Sequence, residues 1–234
     1  MRPSVSCHFL GKVDYKEAWD LQEKLFDEGV QRKINKRNGT SDEMPENHLL
    51  FCEHPHVYTL GKSGDKANLL LNQNELVKKN VSFYHINRGG DITYHGPGQL
   101  VIYPIFDLEQ FFTDIHKYMR FLEEAVIKTL TKFQVIGERS EGLTGVWIEP
   151  KTARARKICA MGVKSSRWMT MHGIGFNIST DLKYFNHIIP CGIQDKNVTS
   201  LEKEIGKSIS VEEIIPIILE ELQQLFDFEM TKNA

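Results

Sequence analysis

The stretch Arg88-Gly89-Gly90-Asp91-Ile92-Thr93-Tyr94-His95-Gly96-Pro97-Gly98-Gln99 contains four glycines and one proline in twelve residues. Both residue types are poor in the interior of a helix or strand, so the composition predicts a loop. Glycines also let backbone N–H groups approach a ligand, and Arg88 adds a fixed positive charge. A glycine-rich turn without a ligand is the simpler alternative, but the arginine, threonine and histidine here favour a binding loop for a carbonyl or anionic group.

Outward from this stretch, short β-branched or aromatic runs predict one strand before it and one after it, at 81–86 and 100–106. The same pattern predicts further strands at 49–52, 57–60, 145–148, 157–163 and 171–178. Helical spacing and capping residues predict helices that begin at Asp14, span 72–79 and 113–133, and begin at Ser210, with a polar loop at 33–47. Strand clusters without regular βαβ alternation predict an α+β fold.

The length, composition and charge of the chain limit its domain organisation and the classes of partner that we expect. A chain of 234 residues with 41% hydrophobic side chains predicts one domain over 1–234. A formal net charge of −2 gives no reason to expect binding to nucleic acid or to a membrane. No apolar run reaches the length of a signal-peptide core or a membrane span, so we expect a cytoplasmic protein. The four cysteines lack a C-x-x-C pair and predict reduced thiols.

Cys191 lies between a proline and a glycine, where a turn is expected instead of the packed core that holds most free cysteines. It is therefore a candidate nucleophile. Such a thiol needs a nearby cation, and Lys157, at the start of an apolar run, is the candidate; a strand-end lysine in solvent is the alternative. Cys52 and Cys159 lie inside apolar runs and are expected in the core.

Two other kinds of site are considered, a metal site and a Cys-His catalytic pair. Cys52, His54 and His56 alternate along one strand and are weighed as metal ligands, but Pro55 interrupts the strand and a fourth ligand is not evident. We therefore expect no metal. His95 or His172 as a partner of Cys191 would instead indicate a Cys-His hydrolase.

At these residues the sequence resembles the octanoyl-acyl-carrier-protein:protein N-octanoyltransferases, the lipoate-biosynthesis protein B family. The resemblance covers roughly 48–205. It rests on stretches that occur in family order: 88–99, 157–163, 166–167, 171–173, 176–177, 181–182, 190–193 and 199–201.

The resemblance implies the α+β fold of lipoate and biotin protein ligases, with a mixed β-sheet, surrounding helices and an acyl tunnel. It implies that Cys191 carries the acyl group as a thioester and that Lys157 lowers the pKa of that thiol and moves protons. The implied substrate-binding residues are Arg88, Gly89, Gly90, Asp91, Ile92, Thr93, Tyr94, His95, Ala160, Met161, Gly162, Gly173, Ile174 and Gly175.

The implied reaction transfers octanoyl or lipoyl from acyl carrier protein to a lysine of lipoyl domains, those of 2-oxoacid dehydrogenase complexes and of the glycine cleavage H protein. It needs no cofactor, and the enzyme is expected to be a monomer. An ATP-dependent lipoate ligase and a non-catalytic binding module are the alternatives. His56, Trp168 and residues 174–176 depart from the family pattern, which leaves chain-length preference open. Local basic residues are candidates for docking acidic partners: Lys62, Lys151, Arg154, Arg156 and Lys164.

Overall fold

A nine-stranded mixed sheet is the main element of the computed structural model, which describes residues 2–189 and 197–231. Its strands are β1 Ser4–Lys12, β2 Asn47–Glu53, β6 Gln99–Ile105, β7 Glu138–Ser140, β8 Leu143–Ile148, β9 Arg156–Ser166, β10 Met169–Asn177, β11 Asn197–Val198 and β12 Glu229–Met230. Their order is β12-β1-β2-β6-β10-β9-β8-β7, and β11 pairs with β9. The β1–β12, β1–β2 and β9–β11 pairs are parallel and the others antiparallel.

A smaller sheet of three strands covers part of this one. It consists of β3 Val57–Leu60, β4 Ser82–His85 and β5 Ile92–His95 in the order β4-β3-β5. The binding loop predicted at 88–99 therefore contains a strand, which corrects the expectation of a loop throughout. Glycines flank β5 but none lies inside it, and three of its four residues, Ile92, Thr93 and Tyr94, have the β-branched or aromatic side chains that strands favour.

Helices cover both faces of the main sheet: α1 Tyr15–Arg37 on one face, and α3 Ile115–Thr131, α4 Leu201–Ile205 and α5 Val211–Phe226 on the other. The short helix α2 Gln73–Lys78 packs against the small sheet instead. Side chains alternate between faces along β2, so Leu49 and Phe51 pack towards α3 and α5, whereas Leu50 and Cys52 pack towards α1. This strand is apolar throughout because both of its faces are covered.

Capping side chains explain where the helices begin. Asn72 with Glu75 and Ser210 with Glu213 both form complete capping boxes, in which each side chain accepts the other residue's backbone N–H. Asp14 caps α1, as predicted, through the N–H of Lys16. The helix α1 ends later than predicted, at Arg37, where the N–H of Asn38 closes its last turn by donating to the oxygen of Ile34. Lys33 within the extension forms ion pairs with Asp107 and Glu109.

The remaining predicted strands and helices are observed within a few residues of the predicted bounds, and the mixed α+β architecture is confirmed. Over residues 2–189 and 197–231, no helix is both long and apolar enough to cross a membrane.

Candidate active site

Lys157 lies on the wall of a cavity of about 520 Å³. It is half-buried, and its Nζ atom is 4.6 Å from the centroid of the Trp147 ring. The two residues are partners in the β8–β9 ladder, and Trp147 is buried. Lys157 is therefore not a strand-end lysine in solvent; it is a cation held between an aromatic ring and a cavity.

Part of the predicted binding stretch also lines this cavity. Residues 88–93 and 160–162 line it, and these are positions for which the resemblance implies substrate binding. Apolar side chains complete the wall: Met119, Leu143, Val163, Phe185 and Val198. A cavity of this size, mostly apolar and with the cations Arg88 and Lys157 in its wall, suits an acyl chain with a polar head.

Arg88 is held by the small sheet. Its side chain is buried, and Nη2 donates to the backbone oxygen of Thr59 at 2.8 Å and to its Oγ1 at 3.0 Å. Nη1 donates to the oxygen of Gly89 at 3.0 Å. These bonds fix the guanidinium beside the cavity.

Glycine is required where the binding stretch meets β9. The N–H of Gly89 donates to the oxygen of Val163 at 2.9 Å, and a Cβ atom on Gly162 would lie 2.8 Å from the oxygen of Gly89. Two backbones approach here too closely for a side chain. This contact joins the binding stretch to the strand that carries Lys157.

A second, smaller cavity of about 50 Å³ lies between the two sheets and α1. His95 and residues 173–175 line it, together with Arg88, Thr93 and residues 160–162, which also line the larger cavity. His95 Nδ1 lies 2.7 Å from Gln99 Oε1, and burial lowers the pKa of His95 to about 3. Its imidazole is neutral near pH 7.

Tyr94 and Asp91, two of the predicted substrate-binding residues, have side chains that contact other protein side chains. Tyr94 lines neither cavity; its hydroxyl lies 2.7 Å from His56 Nδ1, and its ring stacks on Tyr184. Asp91 borders the larger cavity, and its carboxylate accepts a hydrogen bond from Asn68 at 2.6 Å. Their direct role in substrate binding stays a prediction.

The alternating residues weighed as metal ligands separate into two networks. Cys52 Sγ is 3.5 Å from His54 Nε2, which also lies 2.8 Å from the hydroxyl of Tyr103. His56 instead contacts Tyr94. In the part of the chain that the structure describes, no three His, Cys, Asp or Glu side chains come together as a metal site.

Cys191 lies outside the described residues. The other three cysteines are buried, Cys52 and Cys159 in the core as predicted. Burial raises the pKa of Cys7 to about 11, and raises the pKa values of Cys52 and Cys159 further. None of these three thiols is a ready thiolate near neutral pH.

The chain that follows the undescribed segment returns to Lys157. Asn197 and Val198 pair with Arg156 and Lys157, and the N–H of Thr199 donates to the oxygen of Lys157 at 2.9 Å. Of the predicted docking residues, Arg156 is paired with Glu149 and Glu204, and Arg154 with Glu149. These two arginines have local carboxylates, which weakens the docking prediction for them.

Sequence reasoning missed Trp147 and did not place Tyr15, Tyr103 and His172 around one cavity. The sequence does contain a signal for Trp147. It lies in the predicted strand 145–148, and the next predicted strand along the chain, 157–163, begins with Lys157. The other three come from elements far apart in the chain, and no local pattern brings them together.

Comparison with known proteins agrees with this geometry. Residues 14–223 match the family described as lipoyl protein ligase A/B catalytic domain. An octanoyltransferase of Christiangramia forsetii is 59% identical, over 98% of this chain and 99% of its own length, and one of Cytophaga hutchinsonii is 54% identical, over 99% and 96%.

The fold is also that of a solved structure of a bi-partite lipoate protein ligase from Thermoplasma acidophilum, with a TM-score of 0.72 at 15% identity over 99% of this chain and 87% of that one. The chain therefore belongs to the lipoyl protein ligase A/B catalytic domain family and, within it, to the octanoyltransferases, which are acyltransferases.

Proposed function

We propose that this enzyme transfers an octanoyl or lipoyl group from acyl carrier protein to a lysine of lipoyl domains, with Cys191 as the thioester-forming nucleophile and Lys157 as its proton partner. The observation that carries the proposal is the mostly apolar cavity whose wall contains both Lys157 and residues 88–93. The names of the relatives support the octanoyl group. The acceptors are those implied by resemblance, including the glycine cleavage H protein.

Chain connectivity and the other thiols support Cys191 as the nucleophile. It stands six positions before Asn197, which pairs with the neighbour of Lys157, and the three described cysteines are buried with raised pKa values. Histidine is a poor alternative base, because burial lowers the pKa values of His95 and His172 to about 3. This disfavours the Cys-His hydrolase.

In the first half-reaction, the Cys191 thiolate attacks the thioester carbonyl of the acyl carrier protein. The bond from this carbonyl to the carrier sulfur breaks, and the Lys157 ammonium gives its proton to the departing thiolate. Backbone N–H groups of the glycine-rich stretches are candidate donors to the oxyanion.

In the second half-reaction, the acceptor amine attacks the Cys191 thioester and neutral Lys157 takes the proton that the amine loses. An amide forms and the thiolate with ammonium is restored, so the cycle consumes no ATP.

Intact-protein mass spectrometry tests the scheme. Wild type mixed with octanoyl-carrier protein and no ATP should gain one octanoyl group, and lose it to an added lipoyl domain. Cys191→Ala should gain none, whereas Cys7→Ala, which removes a buried thiol of β1, should behave as wild type. Acylation of the domain only when free acid and ATP are supplied would identify an ATP-dependent ligase and refute the proposal. Tight binding of the domain without any adduct would identify a binding module.

Lys157→Arg separates charge from proton transfer. Arginine keeps the positive charge but does not give up a proton near neutral pH, so both half-reactions should be severely slowed in single-turnover assays. Full activity of this variant would show that Lys157 acts only through its charge.

A further inference from the structure

Strand β11 and the residue that follows it hold the backbone of Lys157. Val198 of β11 pairs with Lys157, and the N–H of Thr199 donates to the oxygen of Lys157 at 2.9 Å. On the other side of the strand, Lys157 pairs with Trp147, over whose ring its ammonium lies. The position of this ammonium in the cavity wall therefore depends on where Thr199 is held.

Thr199 is fully buried, and two side chains bind its polar groups. Asn177, at the end of β10, donates from Nδ2 to the backbone oxygen of Thr199 at 3.0 Å. The hydroxyl of Thr199 donates to Glu204 Oε1 at 2.5 Å, and both oxygens of Glu204 pair with Arg156, at 2.7 Å and 2.6 Å. Because Arg156 directly precedes Lys157, this ion pair joins Thr199 to the same strand a second time.

The side chain of Gln99 fixes the orientation of the Asn177 amide. Gln99 Nε2 donates to Asn177 Oδ1 at 2.9 Å and to the backbone oxygen of Tyr94 at 3.1 Å. A backbone oxygen only accepts hydrogen bonds, so the amide nitrogen of Gln99 must lie on this side. Gln99 Oε1 then accepts from His95 Nδ1 at 2.7 Å. The Asn177 oxygen is thus occupied by Gln99, and its nitrogen faces Thr199.

These bonds form one continuous chain from the substrate-binding stretch to the strand that carries Lys157. Its side-chain members are His95, Gln99 and Asn177, which are all buried. Breaking one bond of a buried chain leaves a polar group without its partner, so such chains hold their geometry firmly. Precise geometry matters here, because a displacement of about 1 Å in an active site can slow a reaction about a hundredfold.

We propose that Asn177 and Gln99 are positioning residues for Lys157, and that they act through Thr199. Their amides hold the first residues of β9 so that the Lys157 ammonium faces the cavity. Over the described residues, neither side chain lines the larger or the smaller cavity, so both act through the protein and not on the substrate. This inference rests on the proposed role of Lys157 as the proton partner of Cys191.

Asn177→Ala tests the inference because it removes the donor to Thr199 without adding a charge. Lys157 then shifts, and kcat for octanoyl transfer should fall about tenfold or more. The KM for octanoyl-carrier protein should change little, since the residues that line the cavity are intact.

The pH profile gives a readout that lost stability alone does not change. A displaced Lys157 ammonium stabilises the Cys191 thiolate less, so the lower pKa in the profile of kcat/KM should rise by about one unit. The other charged side chains near Lys157 are unchanged in this variant, namely Arg88 and Asp91 of the cavity wall and the ion-paired Glu149, Arg156 and Glu204.

The matched controls are Asn47→Ala and Gln110→Met, at the opposite end of the main sheet. Asn47 is buried, and its amide donates to Gln110 Oε1 at 3.1 Å and accepts from the N–H of Asp107 at 2.8 Å. These variants disrupt a similar pair of amides far from Lys157. They should lower the urea midpoint but leave kcat and the pH profile near wild type.

Gln99→Met is an independent variant that decides the question if Asn177→Ala does not fold. Methionine has a similar size but lacks the amide that orients Asn177, so kcat and the pH profile should change in the same direction. Wild-type profiles in the folded variants, or equal shifts in the two controls, would overturn the inference. Absence of octanoyl transfer by wild type is a separate result, which would refute the proposed function instead.

Discussion

The surroundings of Lys157 depend on one aromatic residue of the neighbouring strand. Trp147 is buried, and its ring lies under the Lys157 ammonium at 4.6 Å. An aromatic face attracts a cation by up to about 2 kcal/mol when the pair is shielded from water. The ring therefore helps to keep a charged group at the cavity wall.

Trp147→Leu removes this attraction, and we expect kcat for octanoyl transfer to fall about tenfold or more. Trp147→Phe keeps an aromatic face and should lose less. Trp168→Leu, on the distant β9–β10 turn, is the control and should retain activity. Equal kcat values for wild type and Trp147→Leu in steady-state assays would contradict a role for the ring.

At the scale of elements, β8 is held in place by α3. Glu123 of α3 is fully buried, and it accepts hydrogen bonds from the N–H of Gly145 at 3.0 Å and from Arg139 Nε at 3.0 Å. Gly145 has a φ of 108°, and a Cβ atom there would lie 2.4 Å from the oxygen of Cys159 on β9. These contacts fix the strand that presents Trp147 to Lys157.

Gly145→Ala should destabilise the fold by more than about 2 kcal/mol, since left-handed strain adds to a clash with backbone. Gly142→Ala is the matched comparison: its φ is 71°, but a Cβ atom there meets nothing within 4 Å. Gly142→Ala should lower the free energy of unfolding by only about 1 kcal/mol. Urea unfolding followed by circular dichroism measures both, and equal losses would show that the clash relaxes.

At the scale of the whole molecule, three histidines are buried where the sheets and α1 meet. Burial lowers the pKa of His54 to about 4 and those of His95 and His172 to about 3. Unfolding returns each to a pKa near 6.5. Between these values the unfolded chain binds more protons than the folded one, so the free energy of unfolding must fall as the pH falls.

We expect stability to be fully present above about pH 6.5 and to decline below it, each histidine contributing up to about 1.4 kcal/mol per pH unit. Urea midpoints measured from pH 8 to pH 4.5 test this. His172→Asn should flatten the slope, whereas His116→Gln, at an exposed position of α3, should leave it unchanged. A midpoint constant down to pH 4.5 would mean that these rings are already solvated in the fold.

Local sequence determined most of the elements and the chemistry of the binding stretch. The capping boxes at Asn72 and Ser210 use residues three positions apart, so they are readable without any fold. The apolar runs around Cys52 and Cys159 likewise predicted a buried position for each. The stretch around Arg88 was recognisable because its glycines, its proline and its arginine follow one another closely in the sequence.

Only the tertiary structure decided what depends on residues distant in the chain. The strand inside the glycine-rich stretch exists because residues 92–95 pair with β3, more than thirty positions earlier. The extra turn of α1 contains Lys33, which forms an ion pair with Asp107, and the left-handed backbone of His172 directs its N–H to Gln22 of α1. The sequence pattern reports periodicity along one segment, whereas these features depend on contacts between segments, which exist only after the chain has folded.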